Sequence, residues 1–242
     1  MKRFAFLLSA VACVCTAAFG QLLSEDFEYG MTAGNLTTVG SANWAGFSGT
    51  TAIGYQTTSL SLAGYPNSGN GGAATVSGSN SEDAHTFFSN QTTGIVYLSA
   101  LVNISSVSGS TYFLALKDAG TSNYRARVFA RDNAGSLQFG ISSASSTGNF
   151  GMSNFSYNTT YLLVAKFNVD TGVADLFVLD TVPTSEPGSP LISNSDTAMA
   201  QAVQSVAFRQ ASGSPVGVID GIQVATDWAT SVPVSLQSVH ID

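Results

Sequence analysis

Ile95-Val96-Tyr97-Leu98-Ser99-Ala100-Leu101-Val102-Asn103-Ile104 is the stretch on which the fold turns. Its residues alternate as a long strand demands, with Val96, Leu98, Ala100, Val102 and Ile104 lining the more apolar face. The same period of two recurs outward from it. Strands are expected at Thr111 to Lys117, Tyr124 to Arg131, Ser136 to Ser142, Tyr161 to Val169, Val173 to Leu179, Val203 to Gln210 and Val216 to Ala225. The turns between them have a mechanism. Asp132-Asn133-Ala134-Gly135 and Asp170-Thr171-Gly172 place Asp or Asn and Gly where a hairpin needs positive φ or an Asx hydrogen bond. A helical period is not sustained over three turns anywhere, and Asp196 to Gln204 is the best candidate for a short helix. Pro66 to Gly72, Ser142 to Asn154 and Pro183 to Pro190 read as loops. The strand spacing shows no internal repeat, which sets aside a β-helix and favours an all-β sandwich of two antiparallel sheets.

Composition narrows the setting. Only 10% of the 242 residues are charged, against roughly 25% in an average soluble domain. Serine (34), threonine (23) and glycine (24) take their place. The formal net charge of -7 leaves no basic patch able to track a phosphate backbone, so nucleic acid is not an expected partner. Lys2 and Arg3 precede an apolar run from Phe4 to Cys15, too short to span a bilayer, and Ala18-Phe19-Gly20 ends it with small residues. Residues 1–20 are therefore read as a signal peptide, 21–228 as the folded domain and 229–242 as a linker or tail. A short membrane anchor and a lipoprotein acylated at Cys13 are the other readings of the N-terminus. The expected location is secreted or cell-surface, with the periplasm as a variant of the same route, and no membrane span is expected further on. Cleavage after Gly20 removes Cys13 and Cys15, so the mature chain would hold neither disulfide nor thiolate. It would carry six basic residues (Lys117, Arg125, Arg127, Arg131, Lys166 and Arg209) against fifteen acidic ones.

The order of elements carries a resemblance. An opening strand reads Leu22-Leu23-Ser24-Glu25-Asp26-Phe27-Glu28. A central hairpin runs from Tyr161 to Val178, and a closing strand reads Val218-Ile219-Asp220-Gly221-Ile222-Gln223-Val224. This resembles the concanavalin A-like, laminin-G-like jelly roll, which implies that the first and last strands pair and that the hairpin lies across one sheet. The chain is also similar to Bacteroidetes-type secreted modules with "DFxY" near the mature start. These share an "RVFxRD…GxLxFGxS" hairpin, here Arg127 to Gly140, and a closing "VDGIxVxxxW", here Ile219 to Trp228. Val232-Pro233-Val234-Ser235-Leu236 resembles the "LPVxL" junction that follows such modules. These motifs are structural, so they speak to fold more than to function.

Little in the sequence points to catalysis. His85 alternates with apolar neighbours as a partly buried strand residue, and His240 stands near the end. A jelly-roll glycosidase needs two carboxylates flanking the scissile bond, and Glu25-Asp26-Phe27-Glu28 lacks the spacing, so no enzymatic activity is expected. Glu25, Asp26 and Glu28 on the first strand would approach Asp220 on the last, and hard oxygens gathered there suit a structural calcium ion. Hydrogen bonding of these acids to backbone and turns is the plainer reading. Alternation places Arg125, Arg127 and Arg131 on one face with Phe129, while Tyr124, Ala126 and Val128 face the other way, and Lys117 is a candidate neighbour. That strip would suit an acidic glycan or a carboxylate, or would simply pair with the protein's own acids. Trp44, Phe47, Tyr55, Tyr65, Tyr157 and Trp228 are the candidate stacking platforms for sugar rings, each weighed against a place in the core. The expected function is non-catalytic binding of extracellular polysaccharide or cell-surface glycan, in a lectin-like or adhesive role. A structural spacer domain and a degenerate glycoside hydrolase are the alternatives.

Overall fold

The computed structural model describes residues 20–78, 81–196 and 201–234. Most of the expected signal peptide, the centre of the expected helix at 196–204, and the tail with His240 lie outside the described residues. In chain order the elements are β1 (Gln21–Glu25), β2 (Gly34–Asn35), α1 (Leu36–Val39), β3 (Ala45–Ser48), β4 (Gly54–Gln56), β5 (Ala73–Val76), β6 (Asp83–Gln91), β7 (Ile95–Ser106) and β8 (Ser110–Lys117). They continue as β9 (Tyr124–Asn133), β10 (Ser136–Ser142), β11 (Asn149–Phe150), β12 (Thr160–Asn168), β13 (Val173–Leu179), β14 (Ile192–Asn194), β15 (Val203–Arg209), β16 (Val216–Ala225) and α2 (Trp228–Ser231). The end of the expected helix, Val203 and Gln204, is strand instead: an alternating apolar run pairs with β6 and β8 and is buried there.

The fold is an all-β jelly-roll sandwich of two antiparallel sheets. Sheet A runs β14-β13-β12-β7-β16-β5-β4-β2, with β1 also on β16, and sheet B runs β11-β10-β9-β8-β15-β6-β3. The first and last strands pair as expected, Leu23 opposite Val224 and Glu25 opposite Ile222. The hairpin β12–β13 lies beside β7, with Asn168 Oδ1 accepting the Asp170 and Thr171 amides at its turn.

Between the sheets sits the main core. Val96, Leu98, Ala100, Val102 and Ile104 of β7 all face it, as alternation requires. Phe27, Trp44 and Phe208 stack within it, with ring centroids 5.9 Å apart for Phe27–Trp44 and 4.6 Å for Trp44–Phe208. The opposite face of β7 is buried too, because a third layer covers sheet A. Tyr97 and Leu101 pack with Leu162, Val164 and Phe177 beneath Tyr65, Trp228 and Val232. The packed domain thus extends past the expected boundary at Trp228, since Val232 is 1% exposed. Gly221 makes this cover possible. It sits at a bulge where Asp220 faces Leu101 but Gln223 faces Ser99. Its φ of 55° and the Tyr65 ring, 3.0 Å from where a Cβ would stand, both call for glycine.

Candidate functional site

The four acids of the expected calcium site do not come together. Pairing of β1 with β16 turns Glu25 and Asp220 to opposite faces of sheet A, while Asp26 and Glu28 lie beyond the end of β1 and only Asp26 comes near enough to Asp220 to raise its pKa. Glu25 turns inward. Its carboxylate accepts the Phe27 amide at 2.6 Å, Trp44 Nε1 at 3.2 Å and Asn43 Nδ2 at 3.3 Å, together with the Tyr29 hydroxyl. Asp220 turns outward, accepting the Ser59 hydroxyl at 2.5 Å and the Leu60 and Gly221 amides at 2.7 Å each. Burial still pushes its carboxyl up to about 6. Asp26 accepts Asn67 Nδ2 at 2.8 Å, and Glu28 is exposed. Among the described residues no group of three or more His, Cys, Asp or Glu side chains is placed to hold a metal ion.

Three of the six candidate platforms, Trp44, Tyr65 and Trp228, are core residues. Trp44 is 1% exposed because its indole closes the Glu25 network while its ring stacks on Phe208. Tyr65 belongs to the outer layer and faces sheet A, its hydroxyl donating to the Gly221 carbonyl at 2.7 Å. Trp228 packs edge-on against Tyr97 and Phe177. Tyr55 is buried as well. These rings hold layers together and offer no surface to a sugar.

The open face of sheet B is different. A file of seven rings crosses it, each in contact with the next. Phe87 meets His85 at 4.4 Å, His85 meets Phe47 at 4.7 Å and Phe47 meets Tyr124 at 6.4 Å between centroids. Tyr124 then meets Tyr112 at 5.2 Å, Tyr112 meets Phe129 at 5.6 Å and Phe129 meets Phe150 at 6.2 Å. Register explains the file: the cross-strand neighbours Tyr112, Phe129, Gly140 and Phe150 form one row over β8, β9, β10 and β11. Gly140 is required in that row, since a Cβ there would lie 2.8 Å from the Phe150 ring. Phe87 is 48% exposed, whereas Phe129 is wholly covered.

Cations lie against these rings. The Lys117 ammonium stands 5.1 Å from the Phe47 centroid and 5.6 Å from that of Phe87. It donates to the Asp118 and Gly120 carbonyls, which satisfies it where burial lowers its pKa. The Arg127 and Arg209 guanidiniums each lie 4.6 Å from the Tyr112 centroid, and Arg131 lies 4.1 Å from that of Phe150. Arg131 also donates to Gln138 Oε1. Asp83 is the acid of this face; it accepts Tyr124 OH at 3.1 Å and the Gln210 amide at 3.2 Å, and burial raises its pKa. Burial, with Lys117 nearby, holds His85 down at about 4, so its imidazole is neutral at pH 7 and can both donate and accept. Nδ1 of His85 and Nε of Arg127 are buried without a partner among the described residues.

The arginine strip read from alternation is therefore half right. Arg127 and Arg131 share the face with Phe129, but Arg125 does not. Leu114 pairs with Val128 and Leu116 with Arg125, so β9 holds an extra residue there, and Ala126 takes φ 45°. That bulge brings Tyr124 onto the open face beside Arg127 and sets Arg125 opposite the core residue Leu116, its Nη1 donating to the Tyr124 carbonyl. Arg209, Tyr112, Phe87 and Phe150 were not singled out by sequence reasoning. Arg209, Tyr112 and Phe150 come from different strands, and only the strand order makes them neighbours; Phe87 alternates with His85 on β6, but that pairing reads equally well as a buried strand. His85 is the buried strand residue expected of it, yet it belongs to this face.

No family model matches the chain, and no curated protein matches it. Among solved structures it is similar to a sialidase, with a TM-score of 0.49 and 9% identity over 83% of this chain and 19% of that one. It therefore spans less than a fifth of the sialidase's length. It is also similar to domain 4 of AbnA, a GH43 extracellular arabinanase from Geobacillus stearothermophilus, in complex with arabinotriose (TM-score 0.45, 13% identity, 86% of this chain and 94% of that one). A third is the carbohydrate recognition domain of Emp46p (TM-score 0.46, 8% identity, 85% of this chain and 96% of that one). The fold class stands on the pairing of the chain's own sheets.

Proposed function

We propose that the protein is a secreted or cell-surface module that binds extracellular glycan, without catalysis, on the open face of sheet B. The observation that carries this reading is the file of rings ending at Phe87, whose ring is exposed beside a neutral imidazole and an ammonium. Sugars need such a pairing: an apolar face for the C–H side of a ring, and donors and acceptors at its edge for hydroxyls. Phe47 and Phe87 supply the first, and His85 and, further along the file, Arg131 supply the second. The non-catalytic reading rests on Asp83, the acid of this face, which is held by Tyr124 and Gln210 rather than set opposite a second carboxylate.

A glycan array followed by calorimetry on the strongest hit tests the proposal. Phe87→Ala is the informative variant, because an exposed ring can be removed with little cost to the fold. Binding is expected to weaken about two- to tenfold, the range an aromatic contact supplies. Equal affinity in Phe87→Ala and in Phe47→Ala would place the ligand elsewhere, and an empty array would end the glycan reading.

A further inference from the structure

We infer that the open face of sheet B takes an acidic polysaccharide, with a carboxylate or sulfate group held between the Arg127 and Arg209 guanidiniums beside the Tyr112 ring. The inference rests on the glycan-binding reading and names the class of glycan. Its first support is distribution. Of the six basic residues that follow residue 20, Arg127, Arg131 and Arg209 lie partly exposed on this face and Lys117 is buried beneath its rings, in a chain of net charge -7. A protein with so few cations would be expected to scatter them or to pair them with its many acids. Here it does neither. Among the described residues the ion pair is Lys166 with Glu186, on sheet A.

The second support is layering. Tyr112, Tyr124 and Phe129 are 7%, 5% and 0% exposed, while Arg127, Arg131 and Arg209 are partly exposed against the rings. Across the middle of the file an approaching ligand thus meets guanidinium first and aromatic carbon only at the end near Phe87. The third is the arrangement of two guanidiniums on one ring. Arg127 and Arg209 both lie 4.6 Å from the Tyr112 centroid, so two like charges are fixed close together without an ion-pairing acid between them. Two carboxylates act on this pair, Asp83 on Arg209 and Asp196 on Arg127, but neither makes a close ion pair with it: Asp83 accepts Tyr124 OH and the Gln210 amide, and Asp196 accepts the Ala144 and Ser145 amides. Arg127 Nε is buried and has no partner among the described residues. A planar carboxylate or a tetrahedral sulfate accepts from two such forks at once and relieves their repulsion, which a neutral hydroxyl cannot do.

The experiment compares the purified protein with polygalacturonate, which offers carboxylates, heparin, which offers sulfates, and neutral arabinan and β-glucan, by affinity electrophoresis and calorimetry. At least one acidic polymer is expected to bind tenfold or more tightly than the neutral ones, and more weakly as salt rises. Whichever acidic polymer binds names the anion. Arg127→Gln with Arg209→Gln should lose that preference at least tenfold while leaving any neutral binding within twofold, and Lys166→Gln on the other sheet should change nothing. Arg209→Gln alone, at a partly exposed position, gives the same reading if the double variant does not fold, as its melting curve would reveal. Neutral and acidic polymers bound equally, or a preference that survives the arginine substitutions, would overturn the inference and leave the glycan-binding proposal standing. Binding to none of the four would overturn both.

Discussion

Asp220 is a carboxyl placed where its charged form is costly. It is 2% exposed on the outer face of sheet A, and three donors offset the burial only in part, so its pKa stands near 6 against 3.8 for a free aspartate. Between those two values the folded chain holds a proton that the unfolded chain has lost. Stability from this group is therefore greatest at the acid end, declines as pH rises from about 4 to about 6, and is level above that. A shift of this size corresponds to about 1–3 kcal/mol. Asp26, raised by burial as well, acts in the same direction. Melting curves at pH 4.5 and 7.5 should show the native protein losing more stability with rising pH than Asp220→Asn does. Parallel slopes for the two would mean that Asp220 titrates normally. At this scale the site was only partly legible in the sequence. Trp44, Tyr65 and Trp228 have the same composition signal as a stacking platform, and what decides their role is a partner far along the chain: Glu25 for Trp44, Gly221 for Tyr65, and Tyr97 and Phe177 for Trp228. Phe87 differs from them only in having no layer above it.

The turn between β9 and β10 shows how closely an element follows its residues. Asn133 pairs with Ser136, leaving Ala134 and Gly135 as a two-residue loop with φ of 51° and 87°. Positive φ at both central positions matches the twist of the strands, and Asp132 supports the turn by accepting the Gly135 amide at 3.1 Å. Alanine is the misfit, since its Cβ resists the left-handed region that asparagine tolerates. Ala134→Asn should stabilise the protein by about 0.5–1 kcal/mol, a rise of roughly 1–4 °C in melting temperature for a chain of this size. No rise would indicate that Ala134 is already relaxed there. Elements were the most readable scale. Every long strand from β7 to β13, with β15 and β16, lies within one or two residues of its expected place, because alternation and turn residues act locally. The bulge at Ala126 was not readable, since an inserted residue leaves the apolar pattern of β9 intact while moving Tyr124 and Arg125 to opposite faces from those expected. The two- to four-residue strands β2, β3, β4 and β5 are too short for any period to register.

The whole molecule is three layers deep: sheet B, sheet A, and a cover formed by the segment through Tyr65 together with α2. The cover explains how β7 can be apolar on both faces, which alternation on a two-layer sandwich would not require. It also sets a test at this scale. Trp228→Ala removes the ring that joins α2 to Tyr97 and Phe177 and should cost about 3–5 kcal/mol, near 10 °C in melting temperature. Loss of less than about 1 kcal/mol would make the cover dispensable. The strand order carries one more consequence, for the course of folding. In sheet A the last strand, β16, lies between β7 and β5 and also carries β1; in sheet B the next-to-last, β15, lies between β8 and β6. Residues 203–225 are thus the centre of both sheets, although they follow every strand they join in the chain. Until they are in place, each sheet is two halves with open inner edges. Closure of both sheets must therefore proceed through contacts distant in sequence, which makes folding slow.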